Sequence, residues 1–306
     1  MIFGENALVD TKRFVKAFIT NQIAWLAPKY YVRMTAQTGR GVSEGESVEQ
    51  VVEYFERCFF EYFEVLGIAR EDIGLWLKGK IVVEYGPGDI PGVALLMVAY
   101  GADKVICVDR FPLVSMAAKN VEVIRLLMAR LEPDAAERAA GCLLEPSDPT
   151  LGFDPRHLDY AVRPSGLLGL RNTADIVISR AVLEHVNDLV ATFHDMDSAL
   201  RADGIAVHLV DLKSHGLHRR NPLDFLTWPV LLWRWMYSHK GVPNRWRPDR
   251  YRHALSLTDM KTMLMQPTSK LEASVVREVR PRLAKPFRHL SDDDLSWQGF
   301  WLVCRK

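Results

Sequence analysis

The chain has 306 residues, 48% hydrophobic and 25% charged, with a formal net charge of +1. That balance belongs to a globular protein with a sizeable core, either one large domain or a core plus an embellishing subdomain, and it excludes a strongly basic nucleic-acid binder. Cys58, Cys107, Cys142 and Cys304 form no CxxC pair and match no zinc spacing, so they read as reduced thiols of a cytoplasmic protein. The N-terminal stretch lacks a basic segment followed by an apolar run, and no window of about 18 apolar residues occurs, so neither a secretory signal nor a membrane span is expected.

In chain order, the first 77 residues favour helix. FVKAFITNQIAWL opens the pattern. In VEQVVEYFERCFFEYFEVLGI, residues Val51, Tyr54, Phe55, Cys58, Phe59, Tyr62 and Phe63 recur at three- and four-residue steps, which is one helix face. Between these runs lies a Gly/Ser/Thr-rich loop, and its stretch Thr38–Gly45, with the helices, is suited to closing over a ligand. Residues 78–214 then alternate. Strand signals at 80–85, 104–109, 158–162, 174–179 and 205–211 are separated by helical patterns such as GVALLMVAYG and LVSMAAKNVEVIRLLMARL. Apolar strands separated by helices predict a parallel sheet covered on both faces. The Pro-rich stretch 132–157 reads as a helix end and a long loop. Beyond 214 comes a Trp-, Arg- and His-rich stretch, then a helix-like SLTDMKTMLM, then two strand candidates at 270–279 and 297–305. These would complete the sheet and make the Trp/Arg-rich stretch an insertion after the fifth strand. The fold class expected is α/β, a Rossmann-like doubly wound sheet, mostly parallel with an antiparallel last strand.

The first strand runs into glycines, IVVEYGPGDIPG. Gly86, Pro87 and Gly88 stand where a strand must turn sharply and a ligand must approach bare backbone. Asp89 is placed to cap the next helix and Pro91 suits its first turn. Asp109 ends the second strand, where an acid hydrogen-bonds ribose hydroxyls. Together these residues form a nucleoside-binding signature. A dinucleotide site calls for Gly or Ala where this chain has Pro91, and the Glu84 carboxylate would repel a diphosphate. S-adenosylmethionine carries a sulfonium and an ammonium instead, which an acid at Glu84 would favour.

The order E-x-G-x-G, an acid after the next strand, then DIVISRAVLEHV resembles class I S-adenosylmethionine-dependent methyltransferases over about residues 78–214. The resemblance implies cofactor contacts at Glu84, Gly86, Pro87, Gly88 and Asp109, with Arg110 following that acid and Phe111 lying on the adenine. It implies an adenine-edge loop at Arg163–Gly166, including Ser165 and Gly166, although the family's usual acid is missing from VRPSGL. It also places Ser179 and Arg180 beside the methionine moiety, and Glu184-His185 either in the active site or docking the following helix. The base-methylase motifs Asn/Asp-Pro-Pro-aromatic and Pro-Cys are both absent at Ser179-Arg180-Ala181, which favours direct transfer to a small acceptor.

Methyl transfer from a sulfonium is an in-line displacement, and a hydroxyl acceptor needs a base. His215, just past the fifth strand, with Asp211 four residues earlier, is the best base candidate; His185 is a further catalytic candidate. The spacing of His208, Asp211 and His215 is poor for a metal, and no metal is expected. The chain accordingly divides into a helical N-terminal cap (1–77), an S-adenosylmethionine-binding core (78–214), an acceptor-binding insertion (215–268) and the final strands (269–306). In the insertion, Trp228, Trp233, Trp235, Tyr237 and Trp246 either stack on an acceptor or form an aromatic core. Arg219, Arg220, Arg245, Arg247, Arg250 and Arg252 either hold an anionic group or form a cationic surface. WPVLLWRWMY leaves room for a peripheral membrane contact. The expected activity is methyl transfer to a hydroxyl of a small molecule or glycan, with nucleic acid not expected as a partner. An NAD-dependent oxidoreductase and a non-catalytic S-adenosylmethionine-binding protein are the alternatives.

Overall fold

The computed structural model describes residues 7–35 and 45–306, and side chains from residue 11 onward. Seven strands form one sheet: β1 Ile81–Tyr85, β2 Lys104–Asp109, β3 Leu158–Val162, β4 Ala174–Arg180, β5 Leu200–Asp211, β6 Lys261–Lys270 and β7 Trp297–Arg305. Their order is β3-β2-β1-β4-β5-β7-β6. The first five pair in parallel, while β7 is antiparallel to both β5 and β6. The expected doubly wound sheet is therefore present. Strand order reverses between β1 and β4, which opens a crevice at their carboxyl ends.

Strand alternation sends side chains to two apolar layers. Val82, Val105, Cys107, Ile176, Ile178 and Val207 face one layer. It is covered by helices Val48–Leu66, Gly92–Ala99, Ala118–Ala129 and Pro133–Ala140. Val83, Tyr85, Val108, Val177, Ala206 and Val210 face the other, covered by helices Leu189–Ala199 and Pro248–Leu255. Helix Val48–Leu66 starts at a reciprocal Ser47/Gln50 capping box and buries the aromatic stripe read from the sequence. Gly92 is tight against it, since a Cβ there would stand 2.5 Å from the Phe55 ring.

Three expectations need correction. KTMLMQPTSK is the edge strand β6, where a helix reaching residue 265 was expected, and 270–279 holds helix Ala273–Val279 where a strand was expected. That helix is set by Val276 and Val279, three apart, which both bury into an accessory core. Asp89 does not cap the next helix: Pro91 occupies the cap position without a side-chain bond, and the Asp89 carboxylate receives Asn120 Nδ2 at 3.4 Å. The proposed closing loop falls outside the described residues, apart from its last residue.

The accessory core draws Leu223, Phe225, Trp228, Trp233 and Tyr237 from the insertion together with Leu283, Phe287 and Leu295 from the segment between β6 and β7. Trp228, Trp233 and Tyr237 thus serve as core. Two of the arginines read as anion holders are structural as well. Arg245 donates to the carbonyls of Phe225 (3.2 Å) and Trp228 (2.7 Å) and stacks 4.5 Å from the Trp233 ring. Arg247, 1% exposed, donates to the carbonyls of Leu212 (3.0 Å), Leu295 (3.0 Å), Asp294 (3.3 Å) and Trp297. It stitches the insertion to the ends of β5 and β7. Arg252 pairs with Asp294 at 2.6 Å. All four cysteines are buried free thiols. Among the described residues no helix is long and apolar enough to cross a membrane.

Removing one partner of a buried charge-assisted network strands the others. Arg247→Met is expected to destabilise the fold by about 3 kcal/mol or more in urea unfolding. The exposed Arg250→Met should stay within about 0.5 kcal/mol. Equal effects would contradict the stitching role.

Candidate active site

The turn after β1 has the geometry that its glycines permit. Gly86 lies at φ +68° and Gly88 at +79°, and the Gly86 N–H closes on the Val108 carbonyl at 2.8 Å. A Cβ on Gly86 would stand 2.4 Å from Val182 Cγ2, so the turn is pressed against the segment following β4.

Asp109 ends β2 beside this turn. Its Oδ1 accepts the amides of Arg110 (2.7 Å) and Phe111 (3.4 Å), whereas Oδ2 is buried and makes no hydrogen bond. Burial pushes the carboxyl up to about 6, against the amides of Phe111 and Arg110, the Arg110 charge and the nearby Gly88 amide. Arg110 donates to the His185 carbonyl at 3.2 Å and so ties the end of β2 to the end of β4. Phe111 sits 5.9 Å from the Tyr31 ring of the N-terminal helices, and a Cβ on Gly241 of the insertion would stand 3.4 Å from its Cε2. The Arg163–Gly166 turn closes through the Gly166 amide on Arg163 (2.8 Å) and leans on the Arg110 stem. Ser165 Oγ there accepts the Leu167 amide at 3.2 Å.

Glu84 is 6% exposed, with its carboxyl in reach of the Cys107 thiol (3.9 Å) and the Ala94 amide. Burial, only partly offset by that thiol and amide, pushes it up to about 8. At neutral pH it is mostly protonated, so the repulsion of a diphosphate read from the sequence loses its charge. Glu84 packs against the Cys107 thiol of β2 and the Ala94 amide of the next helix, and the ionised acid at the turn is Asp109.

Ser179 and Arg180 also differ from expectation. Ser179 is fully buried, with Oγ 2.8 Å from His208 Nδ1. Arg180 pairs with Glu61 at 2.6 Å and lies 5.8 Å from the Trp301 ring. Alternation along β4 directs these two side chains into the opposite layers, so neither is offered to the crevice. His208 is likewise fully buried, its Nδ1 taken up by Ser179, and among the described residues it joins no donor cluster with Asp211 and His215.

What the fold does assemble is His185, His215, Asp211 and Glu184. The two imidazole centroids are 5.1 Å apart and edge to face. His215 Nε2 is 3.9 Å from Asp211 Oδ2, and His185 Nε2 is 3.7 Å from Glu184 Oε1. Donor atoms of Glu184, His185 and His215 all lie within 4.8 Å of one another. Burial, reinforced by His215, pushes His185 down to about 3; burial also lowers His215, against the pull of Asp211. Both rings are neutral at physiological pH. Two non-glycine residues beside the cluster are left-handed, Ala181 at φ +53° and His215 at +48°, which is strain of the kind held at functional sites.

Sequence reasoning missed Asn244. Its side chain donates to the carbonyls of Leu183 (2.9 Å) and Val186 (3.2 Å), and its amide donates to that of Glu184 (2.6 Å). One residue thus clamps the insertion onto the Glu184-His185 turn. A Pro-Asn turn is a weak signal among many polar residues, and it names no partner.

A family model described as a methyltransferase domain matches residues 69–262, more than half of the chain. With its strand order and glycine turn, the chain belongs to that family, the class I S-adenosylmethionine-dependent methyltransferases. Among solved structures it is similar to an S-adenosylmethionine-dependent methyltransferase from Mesorhizobium loti, with 17% identity, 75% of this chain and 92% of that chain covered, and a TM-score of 0.43. It is also similar to geranyl diphosphate C-methyltransferase from Streptomyces coelicolor A3(2), solved with Mg2+, geranyl diphosphate and S-adenosyl-L-homocysteine. There the identity is 13%, 76% of each chain is covered, and the TM-score is 0.42. No curated protein matches the chain.

The site fits the family's cofactor. An unpaired buried carboxylate oxygen suits a ribose hydroxyl, the glycine turn leaves backbone bare, and Phe111 offers a ring for adenine. Glu84 supplies a pH test. Burial lifts its pKa to about 8 in the folded chain, far above the ordinary carboxylate range, so the folded chain keeps a proton that the unfolded chain has lost in that window. Its contribution therefore turns against folding as pH rises from about 5 to 9. Glu84→Gln should gain thermal stability relative to the parent over that range; parallel melting curves would contradict the assignment.

Proposed function

We propose that this methyltransferase acts on a hydroxyl of a small molecule or glycan, and that the observation carrying this reading is the neutral, half-open His215 with Asp211 at its back. S-adenosylmethionine, when bound, supplies a methyl carbon on a positively charged sulfur. Gly86, Gly88, Asp109, Arg110 and Phe111 would hold the nucleoside end, with Glu84, Pro87, Ser165 and Gly166 shaping its surroundings.

The acceptor side is the cluster after β4 and β5. Val182 touches the glycine turn and Arg110 bonds the His185 carbonyl, so this cluster adjoins the nucleoside side. His215 takes the hydroxyl proton, Asp211 steadies the ring, and His185 fixes the approach of the acceptor oxygen. Holding the two reactants in line contributes up to about 7–11 kcal/mol in favourable systems. The oxygen–carbon bond forms as the carbon–sulfur bond breaks.

The insertion, residues 215–268, supplies the acceptor wall. Arg219 and Arg220 are exposed there, and Trp235 is 47% exposed. Nearby, helix Val230–Tyr237 contacts helix Ala7–Leu26, on which Trp25 and Leu26 are exposed. This apolar rim supports an amphipathic acceptor delivered at a membrane surface.

The test is a mass-spectrometric methyl-transfer screen against hydroxylated, carboxylated, phosphorylated and amine acceptors. Hydroxyl acceptors are expected to gain the methyl group, and His215→Ala should lower kcat by about 100-fold or more with cofactor affinity kept. Exclusive methylation of amines or carboxylates, or turnover unaffected by His215→Ala, would overturn the reading.

A further inference from the structure

The geometry points to a binding site for one divalent transition-metal ion, built from Glu184, His185 and His215 at the acceptor side of the crevice. It reverses the metal-free expectation drawn from sequence spacing, because the residues that meet are not those the spacing paired.

Three observations converge. The donor atoms of these residues lie within 4.8 Å of one another. Ligand atoms of a tetrahedral ion held at about 2.0–2.1 Å stand roughly 3.3 Å apart, so a modest contraction closes the set. Glu184 is 1% exposed, and neither of its carboxylate oxygens has a donor in hydrogen-bond geometry, only the amides of Glu184 and Asp211 standing near. Buried polar atoms are ordinarily satisfied, and this carboxylate stands unsatisfied 3.7 Å from His185 Nε2. Finally, the three residues grade outward, with Glu184 buried, His185 half-buried and His215 reaching solvent. That arrangement leaves an open coordination position, as catalytic rather than structural sites do.

Two imidazoles and one carboxylate select zinc, cobalt, manganese or ferrous ion over magnesium or calcium, which favour all-oxygen sets. Asp211 and Asn244 complete the surroundings. Asp211 lies 3.9 Å from His215 Nε2, and Asn244 holds the Glu184-His185 turn in place through its bonds to Leu183 and Val186.

The role in turnover rests on the proposed hydroxyl acceptor; the binding itself does not. With an ion bound, His215 would be a ligand rather than the base, and the ion would acidify the acceptor hydroxyl in its place. Glu184, His185 and His215 would hold the ion, which would lower the pKa of the acceptor hydroxyl so that its proton passes to water on the exposed side. The resulting oxygen lone pair forms the bond to the methyl carbon while the carbon–sulfur pair returns to sulfur.

The experiment uses the full chain without a histidine tag, stripped with chelator and titrated with Co2+, Zn2+ and Mg2+. The readouts are the cobalt absorption spectrum and calorimetry. One equivalent of Co2+ or Zn2+ should bind and Mg2+ should not. His215→Ala and His185→Gln should each weaken Zn2+ binding by about 100-fold or more while S-adenosylhomocysteine affinity, which reports folding, is kept. No stoichiometric binding, or affinity unmoved by both substitutions, overturns the site. Zinc binding without hydroxyl methylation leaves the site standing and refutes the acceptor assignment; hydroxyl methylation by a chain that binds no metal does the reverse.

Discussion

Everything functional in this molecule follows from the reversal of strand order between β1 and β4. Connections leave the two strands toward opposite faces, and the chain cannot cover the gap between their carboxyl ends with its own backbone. The Gly86–Gly88 turn borders that gap on one side and the Ala181–His185 segment on the other, pressed together by Gly86 against Val182. Asp109, at the neighbouring strand end, brings a carboxylate into the same place with one oxygen bonded by backbone amides and the other unmet. Leaving a buried acceptor unmet costs about 1–3 kcal/mol, more if charged, and a ligand that supplies donors recovers it.

The accessory core makes the second half of the crevice rigid. Arg245 ties the insertion to itself through the Phe225 and Trp228 carbonyls, and Arg247 fastens it to the ends of β5 and β7 through Leu212, Leu295 and Trp297. Asn244 carries that rigidity to the Glu184-His185 turn. Phe111 then meets Tyr31 from the N-terminal helices and Gly241 from the insertion. The glycine-turn side and the Glu184-His185 side of the crevice are therefore joined through packed side chains.

The core of the fold was legible because its strands are apolar runs separated by helical patterns, with β1, β2 and β5 running into Gly86, Asp109 and Asp211, signals that depend on neighbours in sequence. The edge strand β6 was not. Lys261–Lys270 carries Pro267 and mostly exposed polar residues, and only its ladder with β7 makes it a strand. In the site, Asp109 and the glycines stand where the pattern put them. Ser179 and Arg180 point away because alternation along β4 decides direction one residue at a time. Glu84 packs against the Cys107 thiol and the Ala94 amide, where burial rather than neighbouring charge governs its proton. The meeting of Glu184 and His185 with His215 depends on β4 and β5 lying side by side, which the linear spacing of histidines does not convey.

A double-mutant cycle in ligand and protein tests most directly the proposed contact between Asp109 and the ribose of a sulfur nucleoside at the glycine turn. Calorimetric affinities would be compared for S-adenosylhomocysteine and its 2′,3′-dideoxyribose analogue, each with the parent chain and with Asp109→Ala. The account predicts that removing the hydroxyls weakens binding to the parent by about 2–3 kcal/mol and scarcely changes binding to the variant. Equal losses in both proteins would place the ribose elsewhere and contradict the account.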